Sequence, residues 1–117
     1  MNTSQQLVLN VVFQALADPT RRGVLERLGR GPASVSELAE PYDMALPSFV
    51  QHIKALEQSG LIHTVKRGRV RTCRIAPAAM AEAEDWLVSQ RRLWNTRLDQ
   101  LDTHLAEMAA KETENGE

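Results

Sequence analysis

The chain has 117 residues, of which 43% are hydrophobic and 25% charged, and its formal net charge is −1. This length suits one domain with a modest core, and no apolar run is long enough to cross a bilayer. The lone cysteine, Cys73, excludes an internal disulfide and a thiolate cluster for a metal, so we expect a small, half-buried strand residue there. Residues 1–10 show no basic segment followed by an apolar core, so the predicted location is cytoplasmic.

The near-zero net charge conceals an uneven distribution along the chain. Residues 1–44 carry four basic and five acidic side chains, residues 45–75 carry six and one, and residues 76–117 carry four and nine. The basic side chains of the middle part are Lys54, Lys66, Arg67, Arg69, Arg71 and Arg74. Such a concentration favours a polyanionic partner, although a run of charge by itself more often marks a solvated face.

Two helices are predicted in the N-terminal part. In the first, apolar residues recur three and four positions apart, which indicates a wide apolar stripe. These residues are Leu7, Val8, Val11, Val12, Ala15 and Leu16. Asp18 and Pro19 supply an N-cap and a favourable first residue for the second helix, which ends before Gly29, Gly31 and Pro32.

A helix-turn-helix unit is predicted over about residues 36–60. A third, short helix begins with Ser36 as its expected N-cap, and Pro41 limits its length. The fourth helix starts near Leu46 and ends at Gly60, because glycine is common just after a helix. A helix, a short turn and a second helix form a recognised supersecondary unit.

The fourth helix has two different faces. Phe49, Ile53 and Leu56 have the spacing of a buried stripe. The other face carries side chains that form hydrogen bonds but are not acidic, namely Ser48, Gln51, His52 and Lys54. Because the second helix of such a unit enters the major groove, this face is predicted to contact bases and phosphates. Two alternatives stay open: Ser48 only satisfies amides of the first turn, or His52 packs against a neighbouring element.

Residues 61–75 are predicted to form a β-hairpin. Two runs rich in β-branched residues flank a turn around Gly68. The tip carries three basic side chains, Lys66, Arg67 and Arg69. No core requires charge there, so the tip is predicted to enter a minor groove or to bind phosphates. Arg71 and Arg74 point to opposite faces of a strand, so at least one of them is open to the alternative of only solvating the hairpin.

A long helix is predicted from Pro77 to about residue 110. Its apolar positions recur at intervals of seven and four residues, so one face stays apolar along most of its length. They are Leu87, Trp94, Leu98, Leu101, Leu105 and Met108. Residues 113–117 are expected to be a disordered tail, which leaves one domain over residues 1–112.

Five segments together resemble the ArsR-type family of winged helix-turn-helix repressors. They read ALADPTRRGVLERL, VSELAE, MALPSFVQHIKALEQSGLI, KRGRVRTCRI and WLVSQRRLWNTRLDQLDTHL. The chain is similar in particular to the branch that lacks metal ligands. The resemblance implies a mainly α fold with a small β-hairpin wing, and a homodimer that binds a palindromic operator.

The resemblance places the dimer interface on the first and last helices. Apolar stripes on both helices, including Trp86 and Trp94, offer more hydrophobic surface than a thin domain covers by itself. The predicted interface residues are Leu7, Val8, Val11, Val12, Leu87, Trp94, Leu98, Leu101 and Leu105. Such a dimer would set its recognition helices about 34 Å apart. The alternative, in which both stripes pack within one chain, stays open.

The chain departs from the family pattern at its metal positions. The usual cysteine pair would fall at Ser34 and Ser36, whose neutral hydroxyls are poor ligands for soft metals. No metal site and no cofactor is therefore predicted. His104 and Glu107 resemble one half of the family's other metal site, so a site shared across the dimer remains an alternative to a polar rim.

Two further departures concern the recognition helix. The family commonly places serine just before this helix, whereas Ala45 cannot cap, so Asp43 is the expected substitute. The family often has a basic residue where Gln51 stands, so a phosphate contact is predicted to be replaced by a base contact. Operator sequences of relatives therefore do not transfer to this chain.

The predicted function is that of a sequence-specific DNA-binding repressor, including of its own promoter. Two alternatives are a repressor gated by an effector, whether metal, thiol oxidant or small ligand, and a winged-helix module that contacts only proteins. An enzyme is disfavoured because His52, His63 and His104 lie on three different elements without a nearby nucleophile or a glycine-rich phosphate loop.

Overall fold

A computed structural model describes residues 2–115 of the chain and shows a mainly helical winged helix-turn-helix with a small antiparallel sheet. This result confirms the predicted fold class. In chain order the elements are α1 (Thr3–Leu16), α2 (Pro19–Leu28), β1 (Ala33–Ser34), α3 (Val35–Ala39), α4 (Leu46–Gln58), β2 (Ile62–Arg67), β3 (Val70–Ile75) and α5 (Pro77–Asn115). The chain divides into two compact units, one ending at Ala83 and one beginning at Glu84, and α5 runs across this division.

The predicted recognition helix, α4, is attached to the core by its apolar face. It packs against α2, α3 and β2. Phe49, Ile53 and Leu56 are each no more than 2% exposed, as their spacing predicted. Burying each such side chain contributes roughly 1.5–3 kcal/mol relative to leaving it in water. This attachment fixes the rotation of α4 about its own axis and therefore decides which side chains face outward.

The N-terminal end of α2 forms as predicted, but that of α3 does not. The carboxylate of Asp18 accepts a hydrogen bond from the backbone N–H of Arg21 at 3.1 Å. The N-cap of α3 is Ser34, not Ser36: its hydroxyl accepts from the backbone N–H of Glu37 at 3.1 Å, and the Glu37 carboxylate accepts from the Ser34 backbone N–H at 3.3 Å. The prediction overlooked that serine followed three residues later by glutamate is a capping box.

Helix α4 has no side-chain cap at its N-terminus, but its C-terminus is capped by backbone hydrogen bonds. Ala45 occupies the N-cap position and forms no cap hydrogen bond. Among residues 2–115, no hydrogen bond joins Asp43 to α4, so the expectation that Asp43 substitutes was wrong. At the other end, Gly60 has φ +79 and the backbone N–H of Leu61 donates to the carbonyl of Leu56 at 3.1 Å. This arrangement is a Schellman motif, which glycine at that position favours.

The sheet contains the predicted hairpin and one strand that the sequence did not suggest. Strand β3 lies between β1 and β2 in an antiparallel sheet. Arg67 pairs with Val70, which leaves a two-residue turn in which Gly68 has φ +62. The short β1 pairs with β3 through Ala33 and Cys73. Two residues are too few for an alternating pattern to be visible in a sequence.

The pairing register assigns the hairpin residues to two faces. The face toward the core carries Ile62, Thr64, Lys66, Arg71, Cys73 and Ile75, and the outer face carries His63, Val65, Arg67, Val70, Thr72 and Arg74. Cys73 is completely buried rather than half-buried. The predicted opposition of Arg71 and Arg74 is confirmed.

Helix α5 is longer than predicted. It continues to Asn115, so residues 113–115 are helical, while the last two positions of the predicted tail, 116–117, lie outside the described residues. Within residues 2–115, no helix combines the length and the apolar character that a transmembrane span requires.

Candidate nucleic-acid interface

The outward face of α4 carries the predicted polar side chains. Ser48, Gln51 and Lys54 are exposed, and their side chains make no hydrogen bond or ion pair with residues 2–115. The exposure of these three side chains follows from the burial of the opposite apolar stripe, because residues three and four positions apart share a helix face. Their donors and acceptors are therefore available to a partner.

His52 lies at the edge of this face and also contacts α2. Its Nδ1 accepts a hydrogen bond from the Nε–H of Arg21 at 3.2 Å and lies 3.7 Å from a carboxylate oxygen of Asp18. Its side chain is 21% exposed. The alternative that His52 packs against a neighbouring element therefore holds for the Nδ1 side of the ring, which contacts α2. Sequence reasoning missed Arg21, which lies 31 positions earlier in a segment that otherwise gives only the start of a helix.

The carboxylate of Asp18 is electrostatically tied to the same cluster. Burial by itself would raise the pKa of Asp18, but hydrogen bonds from the backbone N–H groups of Arg21 and Thr20 and the positive charge of the Arg21 guanidinium act against this effect, and the pKa lies below its usual value. The ionised form of Asp18 is therefore stabilised by the fold.

The hairpin tip presents free positive charge beside α4. Lys66, Arg67 and Arg69 are exposed, and among residues 2–115 none of their side chains forms a hydrogen bond or an ion pair. Lys66 lies on the face toward α4, Arg67 lies on the outer face, and Arg69 lies in the turn. Because no acidic group neutralises these side chains, the tip attracts anions.

Arg71 has a different environment from the other predicted DNA contacts. Its Nη1 donates to the hydroxyl of Thr64 at 2.8 Å, and this hydroxyl donates to the carboxylate of Glu57 on α4 at 2.5 Å. The three side chains form a chain of hydrogen bonds from β3 through β2 to the recognition helix. Thr64 and Glu57 were not predicted as functional, since only the register of the hairpin brings them together.

A groove of about 600 Å³ lies between α4 and the hairpin. Four cationic side chains line it, Lys54, Lys66, Arg69 and Arg71, together with one carboxylate, Glu57. The start of α3 and the apolar Leu46, Val50 and Val70 complete its walls. A negatively charged strand that ran along the groove would meet an excess of positive charge.

The described residues offer no ready metal site. Within residues 2–115, no three His, Cys, Asp or Glu side chains cluster closely enough to hold a metal. His104 and Glu107 lie together on the exposed surface of α5. Burial raises the pKa of the Cys73 thiol, so this side chain stays protonated and unreactive.

The predicted interface residues of the terminal helices are exposed, with one exception. On α1, Leu7, Val8 and Val11 are exposed, but Val12 is 0% exposed and belongs to the core of a single chain. The assignment of Val12 to a dimer interface was therefore wrong. On α5, the exposed predicted residues are Leu87, Trp94, Leu98, Leu101 and Leu105.

Comparison with known proteins places these features in a family. A family model described as a helix-turn-helix domain matches residues 16–65. A crystal structure of the ArsR family transcriptional regulator RHA00566 has a TM-score of 0.75 and 59% identity, covering 81% of this chain and 95% of that chain. The arsenical resistance operon repressor of Escherichia coli is 31% identical over 88 residues, 70% of this chain and 75% of the repressor.

Two other relatives bear on length and assembly. The HTH-type transcriptional regulator Rv2034 of Mycobacterium tuberculosis is 39% identical over 69 residues, 59% of this chain, and the chain spans only 64% of that protein's length. The homodimeric winged helix-turn-helix DNA-binding domain Mb0332 of Mycobacterium bovis has a TM-score of 0.57 and 26% identity, covering 80% of this chain and 91% of that domain.

The fold and the site define a winged helix-turn-helix protein with a cationic wing beside a polar recognition helix. The chain belongs to the ArsR family of DNA-binding transcriptional regulators. This family is not enzymatic, in agreement with the prediction from the sequence.

Proposed function

We propose that the chain forms a cytoplasmic homodimer that represses transcription by binding a palindromic operator, including one at its own promoter. The observation that carries this proposal is the shared location of two sets of unpaired groups. Lys54 of α4 lines the same groove as Lys66 and Arg69 of the hairpin tip. Ser48 and Gln51 are exposed on the same face of α4 as Lys54. The polar side chains of α4 are suited to hydrogen bonds with base edges, and the cations of the hairpin tip are suited to phosphates.

The groove suggests how duplex DNA would lie on the chain. With α4 in the major groove, Ser48 and Gln51 reach base edges, and Lys54 meets the adjoining phosphates. The sugar-phosphate backbone follows the groove, where Lys66 and Arg69 add positive charge. Arg67, on the outer face of the hairpin, extends toward the neighbouring minor groove.

Dimerisation is supported by the exposed apolar side chains of each terminal helix. On α5, exposed apolar side chains recur along one face of the helix for more than five turns, from Leu87 to Met108. Contiguous apolar surface of this kind is uncommon on a monomer and marks a contact with another molecule. The homodimeric relative Mb0332 supports a second copy as that molecule.

The test uses the purified protein to select fragments of the genomic DNA of its own organism. The bound fragments are then footprinted to find a two-fold repeat. We expect half-sites about one helical turn, roughly 34 Å, apart or at a multiple of that distance. Retention of acidic proteins, with no preference for any duplex over random DNA, would instead favour the protein-interaction alternative.

Substitution of the wing tests the same proposal at one residue. Arg67→Ala is expected to weaken binding to all duplexes alike and to lower the slope of log affinity against log salt by about one, because one phosphate contact is lost. Arg74→Ala removes the same charge from the same face but far from the tip, and we expect a smaller change. Equal effects of the two substitutions would remove the tip from the interface.

A further inference from the structure

The contact between α2 and the recognition helix fixes the proton of His52. The Nε–H of Arg21 lies 3.2 Å from His52 Nδ1. A guanidinium group only donates hydrogen bonds, so Nδ1 must be the acceptor and carry no proton. In the neutral imidazole the proton is then on Nε2.

A second group competes for the same ring atom. A carboxylate oxygen of Asp18 lies 3.7 Å from His52 Nδ1, and a carboxylate only accepts hydrogen bonds. Asp18 therefore favours the opposite tautomer, in which Nδ1 carries the proton. At 3.7 Å this contact is longer than a hydrogen bond, so the Arg21 contact decides the tautomer.

Arg21 is itself held in place by other bonds. Its Nη1 donates to the backbone carbonyl of Gln14 at 3.2 Å, and its backbone N–H donates to Asp18 at 3.1 Å. The guanidinium is thus bonded to the end of α1, and the backbone of Arg21 is fixed in the first turn of α2. Because the side chain is already bonded to α1 and its backbone is fixed by the Asp18 cap, it loses little additional entropy when it also bonds His52.

The other nitrogen of the ring is available to a ligand. His52 Nε2 has no hydrogen-bond partner among residues 2–115. No buried side-chain nitrogen or oxygen in that part of the chain lacks a partner, so Nε2 is open to solvent. It belongs to the residue that follows Gln51, on the same side of α4 as Ser48.

We propose that Arg21 is a positioning residue that locks His52 in the Nε2–H tautomer, so that the recognition helix presents a hydrogen-bond donor at this position. The proposal rests on the proposed function, and it specifies what His52 reads. A donor selects purine N7, guanine O6, thymine O4 or a phosphate oxygen, and it rejects the amino groups of adenine and cytosine. Arg21 thus takes part in specificity without touching DNA.

The first test measures the tautomer in the free protein. Long-range ¹H–¹⁵N NMR spectra of the imidazole rings, recorded where the rings are neutral, are expected to show His52 with a bare Nδ1 and a protonated Nε2. In Arg21→Met the donor is gone, and the population is expected to shift toward the Nδ1–H form that bonds Asp18. Rings of His63 and His104 serve as internal references.

The matched control is Arg22→Met. Arg22 is the adjacent residue, and its Nη1 also donates to the end of α1, to the carbonyl of Leu16 at 2.8 Å, but it does not contact His52. Both variants lose one bond to α1, so the comparison isolates the additional bond between Arg21 and His52. Only Arg21→Met is expected to change the His52 spectrum, and an unchanged His52 tautomer in that variant would overturn the proposal.

The second test compares base preference by selecting binding sites from a randomised duplex. Arg21→Met turns Nε2 into an acceptor, so we expect a roughly tenfold loss on the best wild-type site and a shift toward adenine or cytosine amino groups at the base contacted by His52. Arg22→Met is expected to keep the wild-type preference. A changed tautomer with an unchanged preference would overturn the assigned role in reading. If the wild-type protein bound no duplex, the proposed function would fail, and the NMR result would still report on the tautomer separately.

Discussion

His52 shows how a single side chain is shared between a contact inside the chain and the proposed DNA-binding surface. One ring nitrogen is bonded to Arg21, and the other is open to solvent. Gln51, the residue before it, has no such attachment and is fully available. Adjacent residues of a helix point about 100° apart, so the same turn supplies one constrained and one free side chain.

The first prediction for a single residue concerns Gln51. Gln51→Ala removes a side chain that pairs with adenine through two hydrogen bonds, so discrimination at one base position is expected to fall by about 1–3 kcal/mol. Gln58→Ala, an exposed glutamine at the far end of α4, is the control and is expected to keep the wild-type preference. The measurement is affinity for a set of duplexes that differ at single positions. A uniform loss over all duplexes would assign Gln51 to phosphate contact instead.

The second prediction concerns the acid stability contributed by Asp18. Its pKa is lowered in the folded chain, so its contribution to the unfolding free energy is complete above its unfolded pKa near 3.8 and is lost as the pH falls through the folded pKa. Asp18→Asn keeps an N-cap but carries no charge. The stability difference between the two proteins is expected to be constant near neutral pH and to shrink in acid, as measured by urea unfolding. A difference that does not depend on pH would show that the charge contributes nothing.

Among the secondary-structure elements, the hairpin and α4 are joined by hydrogen bonds into one surface, which is the proposed DNA-binding surface. The hydrogen bonds from Arg71 through Thr64 to Glu57 connect β3 through β2 to α4. Without them, the hairpin would be attached to α4 mainly by packing at its base, where Ile62 and Cys73 are buried. The geometry therefore assigns Arg71 a structural role, although its charge also lines the groove.

The prediction at the scale of elements is the effect of breaking this connection. Thr64→Val keeps the shape of the side chain but removes the hydroxyl, so the unfolding free energy is expected to fall by about 0.5–1.5 kcal/mol, and DNA affinity is expected to fall as well. Thr72→Val on the outer face is the control, because Thr72 makes no side-chain hydrogen bond with residues 2–115. Urea unfolding and duplex affinity are the measurements. Identical results for both variants would show that the hydroxyl does not position the hairpin.

Over the whole molecule, the distribution of charge and apolar surface separates two tasks. The basic side chains are concentrated on the hairpin and α4, whereas residues 76–117 carry nine acidic and four basic side chains along with the exposed apolar residues of α5. Acidic charge on the long helix discourages unspecific binding of DNA there. The apolar residues of that helix are left for contact with a second chain, as proposed.

The prediction at this scale concerns assembly. Leu98→Glu places a charge in the middle of the exposed apolar face of α5, so it is expected to convert the dimer into a monomer and to weaken operator binding at least tenfold. Gln100→Glu adds the same charge to a polar position of the same helix and is expected to stay dimeric. Sedimentation at several concentrations is the measurement. A wild-type protein that sediments as a monomer at every concentration would contradict the proposed dimer.

Local patterns were sufficient for most of the fold. The spacing of Phe49, Ile53 and Leu56 predicted the buried face of α4, and glycine between two β-branched runs predicted the hairpin. The cap of α3 was misassigned although its signal, serine followed by glutamate at the third position, was present. The core position of Val12 was misassigned because an apolar stripe on a terminal helix has the same spacing whether it meets its own chain or a second one.

The sequence by itself determined the order of the five helices and the hairpin, the polar face of α4 and the position of positive charge, because each depends on residues close together along the chain. Tertiary structure alone decided how far His52 is free, that Arg71 bonds Thr64, and that Val12 is internal. These facts depend on contacts between distant residues, such as Arg21 and His52, whose separation of 31 positions leaves no local pattern. Short-range periodicity records which side a residue faces, and only packing records what it meets there.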